Sequence, residues 1–142
     1  MKENRETKQR KLIYKVIKSA CFYPNAEQIY NLAKRENEKI SIATVYRNLE
    51  VLVYKGLIKR IDIANEASRF DADVNKCKAY FISSKNGSIY DLDFKKEKLK
   101  NFFKESKIIK SIDKANIIIY GEISSNIKSK KIRKGKINLK SC

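Results

Sequence analysis

The stretch that most limits how this chain can fold is residues 40–58, where a helix start, an apolar stripe and a helix stop follow one another. Ser41 supplies a hydroxyl that can accept from a free backbone N–H of a first turn, and Gly56 can take the left-handed conformation that ends a helix. A helix of about four turns is predicted between them. Val45, Leu49 and Leu52 recur at helical spacing and form one apolar stripe, while Thr44, Arg47, Asn48 and Glu50 fall mostly on other faces. The apolar side is expected to dock and the polar side to stay free. Thr44, Tyr46, Arg47 and Asn48, near the helix start, are side chains of the kinds that contact phosphates and base edges in a major groove.

Upstream, Leu12, Ile13, Val16 and Ile17 lie at helical spacing, with Thr7 as the expected cap and an end near residues 19–21. Pro24, the only proline, cannot sit in a helix interior and restricts Tyr23, so a turn is predicted there. Asn25 then caps a second helix over about residues 26–35, with Ile29, Tyr30 and Leu32 or Ala33 as its inner face. Downstream, residues 57–63 alternate apolar and polar, residues 64–67 are a polar turn, and Ser68, Arg69 and Phe70 follow, the pattern of a β-hairpin. Three helices followed by a hairpin is the order of a winged helix-turn-helix, whose third helix enters the major groove while the basic hairpin lies along the backbone.

The second half reads differently. Tyr80, Phe81 and Ile82, then Asn86-Gly87, then Ile89, Tyr90 and Leu92 predict a second hairpin, since Asn and Gly both tolerate positive φ. Residues 95–106 read as an amphipathic helix with Leu99, Phe102 and Phe103 inward, and residues 115–123 as a strand centred on Ile117, Ile118, Ile119 and Tyr120. So small a lobe would leave sheet edges and an apolar helix face open, which pairing with a second copy would relieve. The expected divisions are 1–73, 74–126 and a basic tail at 127–142 that contains no acid.

The 33 lysines and arginines stand against 16 acids, a net charge of +17 with no histidine. Such a balance favours a polyanionic partner, nucleic acid before an anionic membrane surface, and the tail would add phosphate neutralisation without sequence preference. The N-terminus is charged and no apolar run approaches the roughly 18 residues of a membrane span, so neither export nor membrane insertion is expected. Cys21, Cys77 and Cys142 lie far apart without C-x-x-C spacing and suit a reducing compartment, so the chain is expected in the cytoplasm. No nucleophile with its base, no glycine-rich phosphate loop and no metal triad is visible, so an enzyme is not expected.

The run from Pro24 to Tyr30, that from Ile40 to Leu49, Gly56-Leu57-Ile58 and Arg69-Phe70-Asp71 together resemble the ferric uptake regulator (Fur) superfamily, which includes peroxide-sensing and zinc-sensing repressors. The likeness is specific over residues 7–71 and weaker to about residue 126. It implies an α+β protein: an N-terminal winged helix-turn-helix domain, then a small α/β dimerisation domain. It also implies a homodimeric repressor of transcription that binds double-stranded DNA. By the resemblance Tyr46 would pack on thymine methyls or the sugar-phosphate backbone, and Arg47 would bond phosphate or guanine. The candidate DNA-contacting set is Ser41, Ala43, Thr44, Tyr46, Arg47 and Asn48 from the helix, with Lys59 and Arg60 from the hairpin.

The resemblance also implies metal ligands, and here the chain departs. The family histidine after the second helix falls on Asn37, and the histidine pair that opens the second lobe falls on Lys78 and Tyr80. The two structural C-x-x-C pairs fall on Ser83 and Asn86, and on Ile123 and Asn126. Tetrahedral structural zinc needs four thiolate or imidazole ligands, and none remains. Asp71 and Asp91 alone stand where the family places carboxylates. No cofactor is therefore expected. The rival readings are a metal-responsive regulator using Asp71, Asp91 and Cys77 as substitute ligands, and a non-enzymatic partner that heterodimerises with an intact family member.

Overall fold

The computed structural model describes residues 4–74, 77–92 and 94–125. The tail at 127–142, with Cys142, and the ligand position Asn126 lie outside these described residues. The chain divides into two units, the first ending at Val74. The first contains α1 (Arg5–Ser19), α2 (Ala26–Glu36), α3 (Ile42–Tyr54), β1 (Lys59–Ile61) and β2 (Arg69–Asp71). The second contains β3 (Cys77–Ser83), β4 (Ile89–Leu92), α4 (Lys96–Phe102) and β5 (Ala115–Gly121). This is the α+β class, a winged helix-turn-helix followed by a small α/β unit.

Side-chain caps fix where each of the first three helices begins. The cap of α1 is Asn4, not Thr7: Asn4 has the extended backbone a cap requires and its Oδ1 accepts from Thr7 N at 3.1 Å, while Thr7 is already in the first turn. Before α2, Asn25 Oδ1 accepts from Gln28 N and Gln28 Oε1 accepts from Asn25 N, both at 2.9 Å, a reciprocal capping box. Ser41 Oγ accepts from Thr44 N at 3.2 Å to start α3. At the other end Gly56 adopts φ 68°, so that Leu57 N donates to Leu52 O and Gly56 N to Val53 O, both at 2.9 Å. Those two bonds are a Schellman motif, and they satisfy carbonyls the helix end would otherwise leave open.

The three helices enclose the core of the first unit. Val45, Leu49 and Leu52 of α3 bury against Ile13, Val16 and Ile17 of α1 and Ile29 and Ala33 of α2. The wing strands join through Ile58 and Phe70. Strand β2 is also tied to the turn between α1 and α2, because Phe70 N donates to Pro24 O at 2.9 Å and Arg69 Nη1 to Tyr23 O at 3.1 Å. The hairpin has three-residue strands rather than the longer ones the alternation suggested, with Asn65 in the left-handed region at its tip.

In the second unit the strand order is β4-β3-β5, with β3 antiparallel to β4 and parallel to β5. A parallel neighbour needs a crossover, and the segment containing α4 supplies it. The turn between β3 and β4 uses one positive φ, at Gly87, where the Asn-Gly pair suggested two. Asn86 instead accepts from Ser88 N through its side chain at 3.0 Å. Helix α4 is shorter than its sequence pattern. Its cap residue Lys95 makes no side-chain cap bond, the helix stops at Phe102, and Phe102 and Phe103 are 81% and 36% exposed rather than inward.

Leu49 is 1% exposed at the centre of the first core. Leu49→Ala should therefore destabilise the first unit by roughly 2–5 kcal/mol, seen as a lower urea midpoint at unchanged slope.

Candidate nucleic-acid interface

With the stripe of α3 buried, the opposite face of the helix stays open. Ser41, Ile42, Ala43, Tyr46, Arg47 and Glu50 are exposed, Tyr46 at 54%, and they lie one above another at three- and four-residue spacing. The face carries one aromatic with a hydroxyl, one guanidinium and small residues near the helix start. Arg47 Nη2 lies 3.8 Å from Glu6 Oε1 of α1, a solvent-exposed pair whose hold on the guanidinium is weak.

Two of the candidate contacts are not on that face. Asn48 is 1% exposed and Thr44 is 9% exposed. Asn48 follows Val45 by three positions and precedes Leu52 by four, so the helical wheel brings it to the edge of the apolar stripe. Its buried amide is satisfied within the fold: Nδ2 donates to Thr44 O at 2.9 Å and Oδ1 accepts from Arg10 Nε at 3.1 Å. Thr44 Oγ1 in turn lies 2.8 Å from Ser41 Oγ. These bonds link α1 to the capped start of α3 and fix the helix that presents Tyr46 and Arg47. Arg10 was not among the residues singled out from sequence. The signal for it was the stripe-edge position of Asn48, which required a partner on a packed neighbour.

The wing residues also divide. Lys59 is buried at 6%, and the register sets it directly opposite the fully buried Asp71, so it belongs to the interior of the hairpin. Arg60 alternates outward, where Nη1 lies 2.9 Å from Glu50 Oε1 and Nε 3.5 Å from Asp62 Oδ1. Its charge neutralises the one acid on the open face of α3 and joins the wing to that helix. The cleft beside it, about 420 Å³, is lined in part by Glu27, Glu50 and Glu66 and is poorly suited to phosphate.

The two carboxylate candidates lie in different units of the chain. Asp71, in the first unit, is fully buried and accepts from Asp73 N at 2.9 Å. Asp91, in the second unit, lies 3.6 Å from Lys78 Nζ through Oδ1, and Cys77 is a half-buried free thiol. Asn37 is the C-cap of α2 and accepts from Lys39 N at 3.2 Å through its side chain, while Ser83 N donates to Ser88 O at 2.9 Å across the hairpin. Among the described residues no three His, Cys, Asp or Glu side chains come together in a set that could hold a metal. Among the described residues no helix is long and apolar enough to cross a membrane.

Capped helices, a buried stripe, an open polar face on the third helix and a short wing define a winged helix-turn-helix protein with an appended α/β unit. The chain belongs to the ferric uptake regulator family, whose model matches residues 2–120. It is 32% identical over 90 residues to the peroxide-responsive repressor PerR of Staphylococcus epidermidis, and 29% identical over 87 residues to the ferric uptake regulation protein of Rhizobium leguminosarum bv. viciae. Those matches cover 63% and 61% of this chain and span 59% and 61% of the relatives' lengths. Among solved structures, the Campylobacter jejuni peroxide stress regulator superposes with a TM-score of 0.71 at 30% identity, over 87% of this chain and 91% of that one.

If Arg10 and Asn48 act as one unit, Arg10→Ala and Asn48→Ala should be non-additive in urea unfolding, with a coupling of roughly 0.5–3 kcal/mol. Additive losses would mean that the bond between them does not position α3.

Proposed function

We propose that the protein is a sequence-specific DNA-binding transcription regulator, a repressor acting as a homodimer on a pseudo-palindromic site, and that it is not an enzyme. The observation that carries this reading is the open face of α3, where Ser41, Ala43, Tyr46 and Arg47 stand together on a helix fixed by its core and both caps. The guanidinium of Arg47 suits a bidentate bond to guanine or a phosphate bond, and the Tyr46 ring suits thymine methyls. Thr44 and Asn48 act behind them by holding the helix, and Lys59 acts within the wing. The net charge of +17 supports a polyanionic partner. DNA-bound regulators of this kind work in the cytoplasm.

Dimerisation is supported by the second unit. Among the described residues β4 and β5 are the edges of the sheet, and Ile119 and Tyr120 of β5, with Phe102 and Ile108, keep apolar surface open. A second copy covering that surface would join two reading helices in one assembly, as a site of two half-sites requires.

Asn37 and Asn86 hydrogen-bond to nearby backbone and Lys78 is ion-paired, so in this reading the regulation does not run through a divalent metal held at those positions. A metal-responsive mode through Asp71, Asp91 and Cys77 is disfavoured by the burial of Asp71 and the pairing of Asp91. A heterodimer with an intact family member would use the same apolar surface, and pull-down with and without DNA separates it from the homodimer.

Arg47→Ala should weaken binding to the preferred site by roughly 1–3 kcal/mol and relax preference at one base pair, read by competition binding against single-base variants of the site. A uniform loss over all sequences would make Arg47 a phosphate contact, and unchanged binding would contradict the assignment of α3 as the reading helix.

A further inference from the structure

Where family members are expected to hold a metal in the second unit, this chain places a charged cluster built from two adjacent strands. Lys78 and Tyr80 lie two positions apart on β3 and therefore on one face of the sheet, and the register sets Tyr80 opposite Asp91 of β4. Lys78 Nζ lies 3.6 Å from Asp91 Oδ1 and 5.6 Å from the centre of the Tyr80 ring. The Lys78 side chain is 11% exposed, that of Asp91 25%, and Tyr80 is 1% exposed. An ammonium so far out of water requires a counter-charge, and the face of a buried aromatic ring adds to its hold.

We propose that the second unit carries its own cation: the ammonium of Lys78, tethered to β3, binds Asp91 of β4 and sets the pairing of these strands without a metal ion. The inference deepens the reading of a regulator that does not depend on metal, by naming the residue that makes it so. The physical argument has two parts. Asp91 already faces the ammonium of Lys78, so a divalent ion would have to compete with that tethered charge for the carboxylate. Such an ion at Asp91 would also sit beside a fixed like charge, in a partly desolvated site where screening is weak. The tether matters as well, because a cation attached to the chain is present at every metal concentration. It adds no term that rises with ligand concentration, as a dissociable ion would.

The test is thermal unfolding of the full chain and its variants, with and without manganese(II), backed by elemental analysis of each purified protein. Lys78→Met should lower the melting temperature by roughly 4–8 °C, and Lys78→Arg, which keeps the cation, should restore most of it. Adding Asp91→Asn to Lys78→Met should cost less than Lys78→Met alone, because the carboxylate that Lys78 faces is then uncharged as well. Lys78→His, which removes the fixed charge near neutral pH and supplies an imidazole beside Asp91, should gain a manganese-dependent rise in melting temperature that the wild type lacks. A Lys78→Met protein that melts like the wild type would overturn the proposal. So would manganese stabilising the wild type and Lys78→His equally. DNA binding enters none of these readouts, so a wild type that binds no DNA would contradict the proposed function while leaving the tethered cation to be judged on the melts alone.

Discussion

The burial of one apolar stripe is the constraint on which the rest of the first unit depends. Val45, Leu49 and Leu52 are each at most 1% exposed, held against α1 and α2, and their burial decides which residues of α3 face outward. Full burial of a Leu or Val side chain contributes roughly 1.5–3 kcal/mol relative to exposure, more than any exposed ion pair on the surface of this unit. The helix cannot rotate without bringing Arg47 or Glu50 into the core. Its ends are equally determined, by the Ser41 cap and the Schellman motif at Gly56. The open face of Tyr46 and Arg47 is therefore a consequence of packing on the other side.

Much of this first unit was legible in the sequence because the signals were local. Ser41, Asn25 and Gly56 act on backbone groups within one turn of themselves, and the spacing of Val45, Leu49 and Leu52 needs no knowledge of a partner. What sequence reading placed wrongly depended on contacts distant along the chain. Asn48 was assigned to the free face by its polarity, but its helical angle puts it at the core edge, where Arg10 from α1 satisfies it. Lys59 was assigned to the wing surface by its charge, but strand alternation turns it inward, opposite Asp71. In both cases residue type suggested exposure while periodicity dictated burial, and periodicity prevailed.

The second unit was legible in its strands and less so in its helix. The Asn86-Gly87 turn between two apolar runs pointed to β3 and β4, and the Ile117–Tyr120 run lies within β5. For α4 the amphipathic pattern was read as a buried face, yet no described residue of the helix is buried. Apolar periodicity indicates that a face seeks cover without saying which element or which chain provides it. The Lys78 cluster was readable only as the loss of a ligand. Its positive content, an ammonium over Tyr80 and against Asp91, required the register of two strands separated by a turn.

The central claim is that the rigid, open face of α3 reads DNA sequence without a metal co-effector. Selecting bound duplexes from a random pool with the purified full chain, in parallel with and without a strong chelator, tests both halves of that claim at once. The account predicts enrichment of one pseudo-palindromic sequence, the same in both arms and with the same affinity at fixed salt. A pool that stays random, or an enrichment that disappears when chelator is present, would contradict it.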